Sequence, residues 1–310
     1  MFSPLRISRL GLALLSLFLA LPPRASWGGE AVPQRFFGYY QELQEAIRRG
    51  PFGFPLQVRS EERRDLVSAE ALGIMDHPLQ AFGAAVTEAA SWCEFIPLNL
   101  NIKACTIQGD AREPLITLYI GGKGYLSPEW ASQQPYRFLL RARQREYVAV
   151  ELSALQGLMG TKAHHLEFEA ASIDGRTVVA LRSSYEQSAS SKLATAIYLA
   201  TVGRDKVGFS RERLGPDGQA SFVRGAQGII ERNLMRYYLV LKAFLDTQAL
   251  PDSRRFEARI STFYDLMERY PSQLHEMERA EYLDAKRRER QNQIRLQQTI
   301  GPTRPQPTGP

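Results

Sequence analysis

Two alternating runs, residues 163–172 and 177–186, are joined through Asp174-Gly175, and this pair constrains the chain more than any other feature. An Asp-Gly step supplies the positive φ that a tight hairpin turn requires, so the runs are expected to pair as adjacent antiparallel strands. In the first arm Leu166, Phe168 and Ala170 face one way, while His165, Glu167 and Glu169 face the other. Alternation of this kind belongs to a sheet with one buried and one wet face. Segments of similar character predict strands at 102–108, 115–120, 136–142 and 147–152, preceded by 66–75 and a short edge strand at 56–60. Tyr136, Phe138 and Leu140 share one face of their strand.

Around these strands the period is helical. Phe37, Tyr40, Leu43 and Ile47 recur at helical spacing over 34–49, and Gly50-Pro51-Phe52-Gly53 ends that helix. After residue 75, Asp76 is expected to cap a helix with Pro78 inside its first turn. Leu79, Phe82, Val86 and Ala89 or Ala90 lie on one face of that helix, which ends near Ser91-Trp92. Past the hairpin, 191–202 reads as a helix carrying Leu193, Ile197 and Leu199, closed by Gly203. Gly215-Pro216-Asp217-Gly218 marks a turn. The longest apolar stripe follows at 228–246, through Ile230, Leu234, Tyr237, Leu241 and Leu245. A last helical stretch, 253–298, is apolar early (Ile260, Phe263, Tyr264, Met267) and charged late.

The N-terminus decides where such a domain works. Arg6 and Arg9 precede an apolar run over 10–21, and Ser26 and Gly28 occupy positions −3 and −1 before Gly29. This reads as a signal peptide, residues 1–28, cleaved between Gly28 and Gly29. The alternative is an uncleaved anchor, although the run is shorter than the about 20 apolar residues of a bilayer span. The mature protein is expected in the periplasm or secreted. Taking Arg6, Arg9 and Arg24 from the net charge of +6 leaves +3, with the basic excess gathered at Lys286, Arg287, Arg288, Arg290 and Arg295. Nucleic-acid binding is excluded as an expectation, since phosphate recognition needs a concentrated basic stripe. Cys93 and Cys105 are the only cysteines, and in an exported chain they are expected to form a disulfide. The alternative is a pair of free thiols. No metal site is expected, because no third ligand stands at suitable spacing.

The order is strand, helix, about six antiparallel strands, then a long amphipathic helix. The local pattern runs from Met75-Asp76-His77-Pro78 through Ala81, Phe82, Ala85 and Val86 to Ser91-Trp92-Cys93-Glu94-Phe95-Ile96-Pro97. On these residues the chain resembles the START-like, or helix-grip, superfamily of lipid-transfer, polyketide-cyclase and SRPBCC-type proteins. The resemblance implies an α+β fold: a curved antiparallel sheet wrapped around a long C-terminal helix, with added N- and C-terminal helices. The parts are then an N-terminal helix at 29–54, a START-like domain at 55–250, a helical extension at 251–298 and a disordered Pro-rich tail at 299–310. Either 191–202 or 228–246 can be the gripped helix, and 228–246 is preferred for its length.

The resemblance further implies a hydrophobic cavity between sheet and helix, of at least about 300 Å³ if it holds an ordinary ligand. Trp92, Tyr119, Phe138, Phe168, Tyr185, Asn233, Leu234 and Tyr237 are its candidate walls, and plain core packing is the alternative for each aromatic. His164 and His165 point to opposite faces of a strand and cannot chelate one metal together. His77 reads as a turn residue. Glu231 and Arg232 read as a solvated helix face, with Asn233 beside the apolar stripe. Phe209, in Lys206-Val207-Gly208-Phe209, is either a mouth or membrane-touching tip or a buried loop anchor. Gly121-Gly122-Lys123-Gly124 lacks phosphate-loop spacing and reads as a hairpin connection.

The expected function is a periplasmic binding or carrier protein for a lipid or other hydrophobic small molecule, without a cofactor or assigned catalytic residues. The alternatives are a cyclase, aromatase or hydrolase using the same cavity, or an interaction protein acting through its helical C-terminus. In that last reading the charged segment 276–298, unable to bury itself, rests on a protein or a membrane surface.

Overall fold

The computed structural model describes residues 31–49, 56–110, 113–201, 203–211 and 221–300. The signal-like segment 1–28, the break at 50–53 and the turn at 215–218 lie outside them, as does the tail beyond residue 300. Eight strands form one antiparallel sheet: β1 (Leu56–Arg63), β2 (Leu66–Met75), β3 (Ile102–Gly109), β4 (Pro114–Ile120), β5 (Ser132–Arg143), β6 (Tyr147–Gln156), β7 (Lys162–Ile173) and β8 (Arg176–Glu186). Their order is β1-β2-β8-β7-β6-β5-β4-β3. Asp174 and Gly175 both take positive φ, 50° and 74°, as the tight β7–β8 turn requires. The β5 face is interrupted by a bulge between Leu140 and Ala142, so Tyr136 and Phe138 are buried while Leu140 is exposed.

The gripped helix is α5 (Gly225–Asp246), which packs across β1, β2 and β8. Ile230, Leu234, Tyr238, Leu241 and Leu245 are buried from it into one core with Val67, Ala71, Phe168, Val179 and Leu181 of the sheet. Each of the Leu, Ile, Val and Phe side chains among them contributes about 1.5–3 kcal/mol on leaving water. Gly73 sets how closely α5 approaches: a Cβ there would stand 2.8 Å from the Tyr238 ring. The helix runs the length of the sheet. Gln227 and Glu231 bond Ser60 near its start, and Asp246 bonds His77 at its end. This is the helix-grip arrangement, α+β, that the order of elements implies.

The outer face is covered by α1 (Ala31–Arg49), whose Phe36 and Leu43 pack on Leu72, Ile74, Tyr147, Ala149 and Val178. Beneath α1 the buried carboxylate of Glu169 accepts from Arg35, Tyr147 and Arg182. Burial alone would raise its pKa, but Arg182, Tyr147 and Arg35 hold it below the usual value.

Several expectations are corrected. The segment after β2 is two helices, α2 (Leu79–Val86) and α3 (Ala89–Phe95). Pro78 is itself the N-cap of α2, extended at φ −63° and ψ 149°, and Asp76 makes no cap. The break before α3 is stabilised by Trp92, whose indole N–H donates to Val86 O at 2.8 Å, one of the orphan carbonyls of a helix end. The last stretch is three helices: α6 (Asp252–Met267), α7 (Pro271–Leu274) and α8 (Arg279–Ile300). Pro271 ends the run because it lacks an N–H and disfavours helix at the residue before it. Thr299 and Ile300 belong to α8 and not to a tail.

The charged helix α8 does bury one face, against the edge strand β3. Gln293 accepts from Cys105 N at 2.8 Å and donates to Cys93 O at 2.9 Å. Gln297 likewise accepts from Ile107 N at 2.8 Å and donates to Ile107 O at 3.1 Å. Four helical residues rise about 6 Å and two strand residues about 6.6 Å, so i,i+4 on α8 matches i,i+2 on β3. Nearby, Glu289 lies between the ammonium groups of Lys103 and Lys286, which also donate to backbone carbonyls of Leu100, Gly124, Asn99 and Ile102. A charged face is buried here because the partner is backbone. The Cys93–Cys105 disulfide is formed, with Cα atoms 5.0 Å apart.

Candidate functional site

The strand pairings bring several connections to one end of the sheet: β1–β2, β4–β5, β6–β7 and the exit of β8. From that exit runs α4 (Ala189–Ala200), which touches the β6–β7 turn and α5. Ser188 begins α4 with a reciprocal bond to Ser191. At this end, between the inner sheet face and α5, lies a cavity of about 220 Å³. Larger but open depressions lie elsewhere, on the outer face around Arg182 and along α8 beside Cys93. Of these three, the cavity under α5 is the one that lies between the sheet and the helix. It is smaller than the roughly 300 Å³ of an ordinary ligand pocket.

Its walls are aromatic and hydrogen-bonding. Tyr136, His164, Tyr185 and Tyr237 face it, with Ile230 and Asn233 from α5, and Asn99, Asn101, Gln134 and Ser183 around them. Asn233 Oδ1 accepts from Arg236 at 3.3 Å. His164 stacks on Tyr185 at 5.4 Å and 15°, and meets Tyr136 edge-on at 6.5 Å. Burial pushes Tyr185 and Tyr237 up to about 12, and Tyr136 further, so all three phenols stay protonated. Burial, and then the neighbouring His165, lower His164 to about 4, which leaves a neutral imidazole at neutral pH. The lining has no Asp, Glu, Lys or Arg side chain.

Of the wall candidates read from sequence, Tyr185, Asn233 and Tyr237 are brought together here. Trp92, Phe138, Phe168 and Leu234 lie deeper, in the closed core, where Trp92 contacts the rings of Phe95, Phe138 and Phe168. Tyr119 is on the other face, packed with Ala104 and Ala131. His164 was the residue to find: alternation that sends Leu166, Phe168 and Ala170 inward also sends His164 inward and His165 outward. Tyr136 was legible by the same rule. The contributions of Asn99, Asn101 and Thr161 come from loops that carry no period.

Glu231 and Arg232 are not a solvated face; they are 0% and 3% exposed. Glu231 accepts from Phe209 N at 2.6 Å, Ser210 N at 2.9 Å and Ser60 Oγ at 2.6 Å, tying the loop before α5 to β1. Phe209 is accordingly buried against Tyr270, a loop anchor and not an exposed tip. Gly121–Gly124 lies in the β4–β5 connection. Among the described residues, no group of three or more His, Cys, Asp or Glu is placed to hold a metal ion, and no helix is long and apolar enough to cross a membrane.

No family model and no curated protein matches the chain. Solved structures similar to it include a conserved protein of unknown function from Enterococcus faecalis, at 9% identity over 74% of this chain and 94% of that one, with a TM-score of 0.34. The Zhui aromatase/cyclase from Streptomyces sp. R1128 is similar at 12% identity, 64% and 94% coverage and a TM-score of 0.32. Human STARD10 is similar at 8% identity, 55% and 76% coverage and a TM-score of 0.29.

Proposed function

We propose that the protein is an exported binding or carrier protein for a small, uncharged aromatic molecule of about one to two rings, held between the sheet and α5. The observation that carries this reading is the cavity of about 220 Å³ walled by Tyr136, His164, Tyr185 and Tyr237. An apolar cavity of about 150 Å³ takes up benzene, so this volume suits a slightly larger aromatic and leaves little room for a lipid with full-length acyl chains. Flat rings stack well on the tyrosines, and Asn233 and the phenol hydroxyls give directional contacts. Leu155, Met159, Leu193 and Ile197 stand exposed at the same end, which favours access there by an apolar molecule. The signal-like residues 1–28 and the Cys93–Cys105 disulfide support an oxidising, extracytoplasmic setting.

Native mass spectrometry of protein purified from its source is expected to reveal a co-purifying aromatic mass. Titration with naphthalene-sized fluorescent probes is expected to show saturable binding that Ser183→Phe, which fills the cavity, abolishes without unfolding the protein. Binding that survives Ser183→Phe unchanged would place the ligand elsewhere.

A further inference from the structure

We infer that His164 selects among ligands of this cavity: its Nδ1 is a fixed hydrogen-bond acceptor, so the preferred ligand is a small aromatic that carries a hydroxyl or N–H donor, such as a phenol. The inference rests on the cavity being a binding site, as proposed above.

The assignment follows from the count of protons around Thr161. Its hydroxyl donates to Leu158 O at 2.8 Å. A hydroxyl has one proton to give, so toward His164 Nε2, also at 2.8 Å, Thr161 Oγ1 can only accept. The ring proton of the neutral imidazole therefore sits on Nε2, and Nδ1 keeps its lone pair. Thr161 is itself held, since its backbone N–H donates to Leu158 O and its carbonyl accepts from Gly157 N. The ring is clamped by Tyr185 on its face and Tyr136 at its edge. It lines the cavity, and Nδ1 has no hydrogen-bond partner among the described residues, yet it is not among the sealed, unpartnered atoms. Nδ1 thus faces space a ligand can enter. Burial and His165 keep the ring neutral at working pH, preserving the acceptor.

A ligand with a donor at this position gains a bond, while one without it strips water from Nδ1 and returns nothing. The test uses the full chain and two probes of nearly equal size, 1-naphthol and 1-methoxynaphthalene, titrated calorimetrically. Wild type is expected to bind 1-naphthol about tenfold more tightly, the effect of one hydrogen bond. His164→Phe is expected to bind both about equally, and His164→Gln, whose amide oxygen is again an acceptor, to recover part of the preference. Nitrogen-15 NMR of the wild-type imidazole needs no variant and is expected to find the proton on Nε2. Equal binding of the two probes by wild type, a preference that survives His164→Phe, or a proton on Nδ1 would each overturn the assignment. If folded wild type binds neither probe while the proton is on Nε2, the binding reading itself fails and the selection falls with it.

Discussion

Replacing Gln293 with Leu, a side chain one atom shorter, removes both bonds by which α8 serves the edge of the sheet. It leaves Cys105 N–H and Cys93 C=O without partners at a site where Gln293 itself is buried. Each backbone group stranded in this way costs about 1–3 kcal/mol, and the added apolar burial of Leu offsets about 1 kcal/mol. The expected net loss is therefore about 1–5 kcal/mol. Gln297 makes the equivalent pair of bonds to Ile107, but it is only half-buried, so water can take over from its amide. For Gln297→Leu the loss is expected to stay below about 1 kcal/mol. Urea titration with the disulfide intact measures both, and amide exchange locates the damage. In Gln293→Leu the Cys105 amide should exchange markedly faster, while amides of the β7–β8 hairpin fall only by the global loss. If the two variants are equally stable, or if Gln293→Leu is neutral, the clamp is not what holds α8 to β3.

Phe168→Trp and Leu234→Trp should each destabilise by about 1–3 kcal/mol, because both positions lie in closed core, and thermal melting reads this directly. Below the cavity's reach, Glu169 gives a pH dependence. Its folded pKa is depressed, so its contribution is fully present above the usual carboxylate value and is lost as pH falls through the folded one. Loosening of α1 in acid, seen as faster amide exchange in 31–49, should be absent in Glu169→Gln, which should be loosened at every pH. Gly175→Ala should cost about 1–2 kcal/mol in a urea titration, since φ at that position is +74°.

The strands were legible because alternation is a local signal that burial enforces. The β7–β8 hairpin followed from Asp174-Gly175 alone, and β2 was read with the bounds Leu66–Met75 that the fold has. Helix continuity was read less well. Pro271 was a visible stop that a long charged pattern obscured, whereas the break at Thr87-Glu88 is bridged by Trp92 reaching back six residues to Val86 O, a side-chain bond that hydrophobic period does not mark. The buried charges were illegible for a related reason. Glu231, Lys103 and Lys286 look like solvent-facing residues by type, and what satisfies them is backbone belonging to distant loops. For the cavity, the inward direction of His164 and Tyr136 was implicit in the strand period. Which inward residues line space and which fill it depends on where α5 lies over the sheet, and the period is silent on that.

The two margins of the sheet are protected by unlike means, and this bears on how the chain behaves when it is cut or incompletely made. At β1 the outer strand carries Arg59, Glu61, Glu62 and Arg63, charges that discourage another strand from adding to it. Along β3 the shield is α8 itself, and β3 beneath it is apolar through Ile102, Cys105 and Ile107. A chain emerging from synthesis completes β3 long before Gln293, and a protease that removes α8 recreates that state. In both, a bare apolar strand is free to pair with its counterpart on a neighbouring molecule. Protection of this margin thus waits on α8, and a fragment ending near residue 278 should assemble into sheet-linked aggregates even though β1–β8 and the gripped helix are all present.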